Sequence, residues 1–243
     1  MILIFSLTLC AQDFSRTPHY GLVGCWNLCG DTTATGGCVA SSSTTVFDCS
    51  GKVNAGTWHG TQAGTTNWYD AGKLGPYAGH FNGTDNYVTL PSANYQITTN
   101  VTITAWIYIG STVGSRGVIF NDRSTSNGIS FNVTSTGCGA SNQVLFPIVG
   151  GGTTTLCGTT VLSNAMWYFV ALTVSGSSAT LYVNGVAGGT GTLTWTWNNT
   201  YVAIGAYPGG TPSSFFPGAI NRVQLYNRAL SAGEIAQLYL VHN

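Results

Sequence analysis

Residues Val101-Thr-Ile-Thr-Ala-Trp-Ile-Tyr-Ile109 alternate strictly, and no other stretch constrains the fold as much. Val101, Ile103, Ala105, Ile107 and Ile109 share one face, and Thr102, Thr104, Trp106 and Tyr108 share the other. A two-residue period is the pattern of a strand with one face in a core. Trp167 to Val174 reads as a second strand, apolar on both faces and therefore central. Gly176-Ser-Ser178 turns the chain into Ala179 to Val183, and Asn184-Gly185 follows, a strong signal for a two-residue hairpin turn. Tyr87 to Leu90, Gln143 to Val149, Tyr201 to Ile204 and Ile220 to Tyr226 supply further strands. No βαβ alternation appears. The predicted fold class is all-β, an antiparallel two-sheet jelly-roll sandwich. One short C-terminal helix is expected, because Ser231-Ala-Gly-Glu234 is a capping box and Ile235, Leu238 and Tyr239 then form one apolar stripe. Its expected role is to plug an end of the sandwich.

Composition narrows the function. Charged residues are 6% of the 243, and seven basic residues balance seven acidic ones. Phosphate binding needs clustered Lys and Arg, so nucleic acid is excluded as a principal partner. Hydrophobic residues at 44% are enough for a sizeable core and argue against disorder. Thr, Ser, Asn and Gly must cover the surface instead of charge, which leaves little repulsion between copies.

Residues 1–15 form an apolar leader, beginning Met-Ile-Leu-Ile-Phe. It reads as a secretory signal or, if retained, as an N-terminal strand with Ile2, Ile4 and Leu7 packed away. It is short for a membrane span, and no other stretch could be one. Residues 20–243 read as one domain. Cys10 lies in the leader, leaving Cys25, Cys29, Cys38, Cys49, Cys138 and Cys157. An even number of cysteines, with no C-x-x-C, predicts disulfides and an extracellular setting. Cys138 and Cys157 bracket a Gly-rich hairpin and are expected to pair. Cys25 and Cys29, expected on one strand, are too far apart to bridge each other. Of the pairings left for the other four, the nested one, Cys25–Cys49 around Cys29–Cys38, is favoured. Sequons at Asn82, Asn100, Asn132 and Asn198 are candidate glycosylation sites, at a frequency that chance alone supplies.

A series of short motifs now falls into order. Phe47-Asp-Cys-Ser-Gly51 leads to Gly56-Thr-Trp-His-Gly60 and Phe81-Asn-Gly-Thr-Asp-Asn-Tyr-Val88. Thr102-Ile-Thr-Ala-Trp106, Trp167-Tyr-Phe-Val-Ala171 and Leu181-Tyr-Val-Asn-Gly185 follow, and then Gly218-Ala-Ile-Asn-Arg-Val-Gln-Leu-Tyr226 before Asn227-Arg-Ala-Leu-Ser231. In this order they resemble the laminin-G-like jelly rolls of the concanavalin-A-like lectin/glucanase superfamily, over about residues 22–240. The resemblance implies two antiparallel sheets, one of them curved, and secretion. It implies binding or adhesion more often than catalysis. An extra Cys-rich loop lies between Trp26 and Val46. Related domains often hold a structural calcium between the D-x-S-G turn and the late strand. Here only Asp48 remains of the carboxylates, with Asn221 opposite, so calcium at Asp48 and Asn221 is a candidate and a hydrogen-bonded turn Asp without metal is preferred.

Catalysis is not expected. Glycoside hydrolysis needs two carboxyl groups about 5–9 Å apart, and the single Glu, Glu234, is taken by the capping box. No G-x-S-x-G occurs, and His59 and His80 read as structural groups in Gly-rich turns. No cofactor is required. The leading expectation is a secreted lectin-like or adhesive module whose partners are glycans or extracellular matrix. Sugar rings stack on aromatics. Trp195 and Trp197, expected to share a strand face, are candidate platforms, with Trp58 and Trp68 in loops, and Tyr207 beside Gly209 and Gly210. Trp106 and Trp167 resemble core positions of the family. The alternative is a subunit of a self-associating extracellular assembly, such as a filament, sheath or surface layer.

Overall fold

The computed structural model describes residues 18–29, 31–32, 38–39, 42–92, 95–139, 142–150 and 156–241. The apolar leader and Cys10 lie outside the described residues. The chain forms two large antiparallel sheets. The eight-stranded sheet runs β15 (Val186–Thr192), β14 (Ser178–Val183), β13 (Trp167–Ser175), β9 (Asn100–Ile109), β17 (Pro217–Tyr226), β7 (Tyr77–Asn82) and β6 (Tyr69–Ala71), with β1 (Leu22–Trp26) also on β17. The seven-stranded sheet runs β12 (Val144–Val149), β11 (Ile129–Thr134), β10 (Gly117–Asn121), β16 (Ala203–Ile204), β8 (Tyr87–Thr89), β5 (Gly56–His59) and β4 (Thr45–Val46). Inside the expected Cys-rich loop, β2 (Asp31–Thr32) pairs with β3 (Cys38–Val39).

The alternating segment is β9, and β13 pairs with it along its full length, from Trp167 opposite Tyr108 to Ser175 opposite Asn100. Its apolar face lines the main core between the sheets with Phe120, Phe131, Leu172 and Val223. The other face is not solvated, which corrects the expectation of a one-sided strand. Thr102, Thr104 and Trp106 are buried. Trp106 joins a second cluster with Phe169, Tyr182 and Tyr226, and Ile235 and Leu238 cover it. Those two residues belong to α1 (Ala232–Val241). The helix therefore lies on the outer face of the eight-stranded sheet and does not plug an end. The buried Thr hydroxyls are satisfied: Thr102 Oγ1 donates to Arg228 O at 2.8 Å and Thr104 Oγ1 to Gln224 Oε1 at 3.3 Å.

The helix start is tied down as the sequence predicts. Ser231 N–H donates to Glu234 Oε2 at 2.9 Å and Glu234 N–H to Ser231 Oγ at 3.3 Å. Arg228 adds a bidentate pair to Glu234, at 2.6 and 3.0 Å. At the hairpin Asn184 and Gly185 have φ of 50° and 80°, the left-handed pair that a two-residue turn needs.

Two expected disulfides are present, Cys25–Cys49 and Cys138–Cys157. Closing loops of this length stabilises a fold by about 3 kcal/mol each in the chain-entropy picture. Cys29 is also disulfide-bonded. The side chain of Cys38 lies outside the described residues. Cys29 follows the end of β1 and does not share a strand with Cys25.

Arg228 holds the Glu234 carboxyl down to about 2, with Ser231 assisting. The unfolded chain binds that proton near 4.5, so the stabilisation is complete above 4.5 and is lost as pH falls through about 2. Glu234→Gln should lower the unfolding midpoint at pH 7 and flatten the acid limb between pH 4.5 and 2, read by circular dichroism against urea.

Candidate functional site

The outer face of the seven-stranded sheet carries a row of cross-strand partners, Thr57, Thr89, Ala203, Asn121, Ser130 and Ile148. The alternate row, Trp58, Val88, Ile204, Phe120 and Phe131, points into the core. A bulge between Val118 and Phe120 shifts the register. It sends both Ile119 and Phe120 inward and returns Asn121 to the outer face.

Asn121 organises what stands on that face. Its Nδ2 donates to Tyr201 O at 2.7 Å and to Arg123 O at 3.1 Å, clamping the chain before β16 to the chain after β10. Its Oδ1 is buried without a partner. Above it the Tyr201 and Tyr207 rings lie 6.3 Å apart. The Arg123 guanidinium sits 6.0 Å from the Tyr207 ring centre, and Arg123 Nε donates to Val149 O at 3.0 Å. Tyr207 is held by paired backbone bonds with Ser213. Arg116 stands one position before β10 and is half-buried. Burial and the Arg123 charge lower its pKa, while Tyr207 raises it. Farther along the face His59 stacks on Tyr87 at 4.7 Å, and Phe215 lies 6.1 Å from Tyr87. Half-exposed rings and a guanidinium group on one face can stack against a planar or puckered ring and donate hydrogen bonds to its oxygens.

The predicted platforms fare differently. Tyr207 is on this face and half-exposed. Trp58 and Trp68 are 2% and 4% exposed. They stack on each other at 5.3 Å in the core, so neither offers a face to a ligand. Residues 193–199 form no strand, so Trp195 and Trp197 do not share a strand face. Both are half-buried against the main core, where Trp197 stacks on Phe120 at 6.4 Å and Trp195 Nε1 donates to Gly176 O. His59 and His80 lie on strands, not in turns. His59 bonds Thr89 Oγ1 at 2.9 Å, and His80 pairs with Asp70.

The candidate calcium pair does not fit a cation. Asp48 Oδ1 accepts the N–H groups of Cys25 and Ser50, and Oδ2 accepts the Ser50 hydroxyl and the Asn54 N–H. Four donors converging on one carboxylate present positive dipoles where a cation would sit. Asn221 spends its Oδ1 on Leu74 N–H and its Nδ2 on Asn27 O. Among the described residues no three His, Cys, Asp or Glu side chains cluster as ligands. Two sequons are corrected as acceptor sites. Asn132 is fully buried and its Nδ2 donates to Ser130 O and Phe146 O. The Asn198 Nδ2 is also buried. Asn82 and Asn100 keep partial exposure.

A separate open cleft of about 1020 Å³ runs beside the Cys25–Cys49 bridge, lined by His19, Tyr20, Ser50, Lys52, Asn54 and Gln96. Its lining brings together three titratable side chains, His19, Tyr20 and Lys52, and no carboxylate. Asp122, next to Arg123, is fully buried. Its oxygens accept the N–H groups of Asn198 and Asn199 at 2.7 and 2.6 Å. Desolvation lifts its carboxyl to about 7 against those two bonds.

A sequence model of the concanavalin A-like lectin/glucanases superfamily matches residues 82–236. No curated protein matches the chain. Among solved structures it is similar to domain 4 of an extracellular arabinanase from Geobacillus stearothermophilus in complex with arabinotriose. That match has 19% identity and a TM-score of 0.63, covering 90% of this chain and 98% of the other. It is also similar to a mutant Trypanosoma rangeli sialidase with trans-sialidase activity, at 18% identity and TM-score 0.64. There it covers 92% of this chain and spans 33% of the sialidase. A third likeness is the binding domain of Paraclostridial Mosquitocidal Protein 1, at 15% identity, TM-score 0.58, and 90% and 52% coverage. Identities this low speak for the fold.

Asp122 gives a signed pH effect. Between 3.8 and about 7 the folded chain keeps a proton that the unfolded chain has released. Stability therefore falls as pH rises through that window. Asp122→Asn should flatten the slope between pH 4 and 7, measured by urea unfolding at fixed ionic strength.

Proposed function

The chain belongs to the concanavalin A-like lectin/glucanases superfamily, and on that premise we propose that it is a secreted, non-catalytic carbohydrate-binding domain. Its binding surface is the outer face of the seven-stranded sheet. The observation that carries this reading is the pair of partly exposed Tyr201 and Tyr207 rings with the Arg123 guanidinium over Tyr207, on a face that Asn121 clamps. The arabinotriose bound to a domain of the same fold supports a saccharide as ligand. Two disulfides support an oxidising, extracellular setting.

The non-catalytic part rests on how the described carboxylates are used. Asp48 caps its own turn, Asp70 pairs with His80, and Asp85 bonds Asn82 and Thr61. Asp122 holds two backbone N–H groups, and Glu234 caps α1. Each of these serves a turn, strand pair or cap, so among the described carboxylates no pair is left to divide into acid and nucleophile. No resident cofactor is part of the proposal.

The self-assembling alternative draws on one feature. Val186, at the start of edge strand β15, is 70% exposed, and Leu240, on the helix that touches β15, is 71% exposed. Concentration-independent monomers by light scattering would remove that reading.

The binding reading is tested on an oligosaccharide array probed with the whole chain. Binding to at least one saccharide class, weakened about tenfold or more by Tyr207→Ala with the unfolding temperature retained, is expected. Trp58→Ala, by contrast, should cost about 3–5 kcal/mol of stability through the cavity it leaves in the core. Absence of binding to every saccharide would overturn the proposal.

A further inference from the structure

The open cleft beside the Cys25–Cys49 bridge has a volume of about 1020 Å³, at the upper end of the range of ~300–1,000 Å³ found for ligand sites. Two of its walls are fixed by hydrogen bonds. One is the turn at residues 19–22. Leu22 N–H donates to His19 O at 3.0 Å, Asn227 N–H to Gly21 O at 2.9 Å, and Arg228 Nε to Tyr20 O at 2.7 Å. Arg228 is itself held by Glu234. Gly21 has φ of 80°, and a Cβ there would come within 3.0 Å of Arg228 Cγ and Asn227 Oδ1. The other wall is the turn from Ser50 to Asn54. Asp48 accepts the N–H groups of Ser50 and Asn54, Trp26 Nε1 donates to Asn54 O at 2.8 Å, and Asn54 Nδ2 donates to Val23 O at 3.0 Å.

Two features of these walls are unfavourable for the unliganded chain. Tyr20 is 84% exposed although its place is fixed, with the Arg228 guanidinium 5.5 Å from its ring centre. The rest of that ring is left to water, and an apolar face held in place is a platform for stacking. Val53, between Lys52 and Asn54, is 86% exposed and has φ of 60°. A β-branched residue is strained there, and the Asn54 bonds are what hold it. Gln96, which also lines the cleft, has φ of 53°. Backbone strain that the surroundings enforce gathers at ligand sites. The lining contains no carboxylate, and Lys52 makes no ion pair among the described residues.

We propose that this cleft is a second saccharide site, in which a sugar ring lies against Tyr20 while Lys52 donates to its hydroxyl or carboxylate oxygens. The ligand class rests on the carbohydrate-binding reading above. The place is separate from it: Leu22 and Val23 of β1, on the eight-stranded sheet, line the cleft, whereas Tyr207 stands over the seven-stranded sheet. A chain with two such sites can hold two glycans, or two stretches of one, with a gain in avidity.

The test is isothermal titration of the whole chain with two probes, arabinotetraose as the neutral sugar and a galacturonic acid tetramer as the acidic one. At least one probe should saturate at two ligands per chain. Tyr20→Ala should remove one of the two and leave the unfolding temperature unchanged, because the side chain is exposed. Tyr20→Phe keeps the ring and should keep both. Lys52→Gln should weaken the Tyr20 site about tenfold through the loss of a charged hydrogen bond, whereas Tyr207→Ala should spare it. If one ligand binds per chain and Tyr20→Ala leaves its affinity intact, the inference fails and the carbohydrate-binding reading stands. If one ligand binds and Tyr20→Ala abolishes it, the cleft is the site and the Tyr207 face is overturned instead. If neither probe binds, the inference fails, and an array without any binder shows that the broader reading has failed with it.

Discussion

Strand β9 has no solvent side, and much of the architecture answers that fact. Its Ile and Val face fills the space between the sheets, and its Thr and Trp face is equally dry. A strand buried on both faces needs a second apolar layer outside the sheet. Trp106, Phe169 and Tyr226 supply one side of that layer, and Ile235 and Leu238 of α1 supply the other. The helix is one of only ten residues, too short to be stable alone in water. Its docking therefore depends on the Ser231–Glu234–Arg228 cap and on the apolar floor beneath it. On the other sheet the outer row is covered as well, with Asn121, Ala203 and Ser130 buried beneath the groups that stand over them.

That surface is shaped by one irregularity. The bulge in β10 doubles the inward contribution, Ile119 and Phe120, and returns Asn121 to the outside. Asn121 then ties the segment after β10 to the segment before β16, on the proposed binding face, through the carbonyls of Arg123 and Tyr201. Rings and guanidinium groups placed by such bonds lose less freedom on binding than groups on free loops. The same few residues link strand register to recognition chemistry.

Much of the fold was legible in the sequence because its signals are local. The alternation of β9, the Asn184-Gly185 turn and the Ser231–Glu234 box each need only neighbouring residues to be read, and each stands where it was expected. The double burial of β9 was not legible, since Thr102 and Thr104 look polar until their hydroxyls are seen bonded to Arg228 O and Gln224. The helix was found, but its docking face was not, because that depends on a layer assembled from five distant strands. Aromatic content pointed to Trp58 and Trp68, whose size makes them core residues here. The outward turn of Asn121 was hidden by the bulge, which sends two consecutive residues, Ile119 and Phe120, inward. Of the predicted platforms, Tyr207 is the one that stands on the proposed face.

The most direct test of the account is a crystal structure of the chain with a bound oligosaccharide. The account predicts a sugar ring against Tyr207, with its polar groups within hydrogen-bonding distance of Arg123 on the outer face of the seven-stranded sheet. A saccharide seated instead at Trp195, or in the cleft lined by Tyr20 and Lys52, with the Tyr207 face empty, would contradict it.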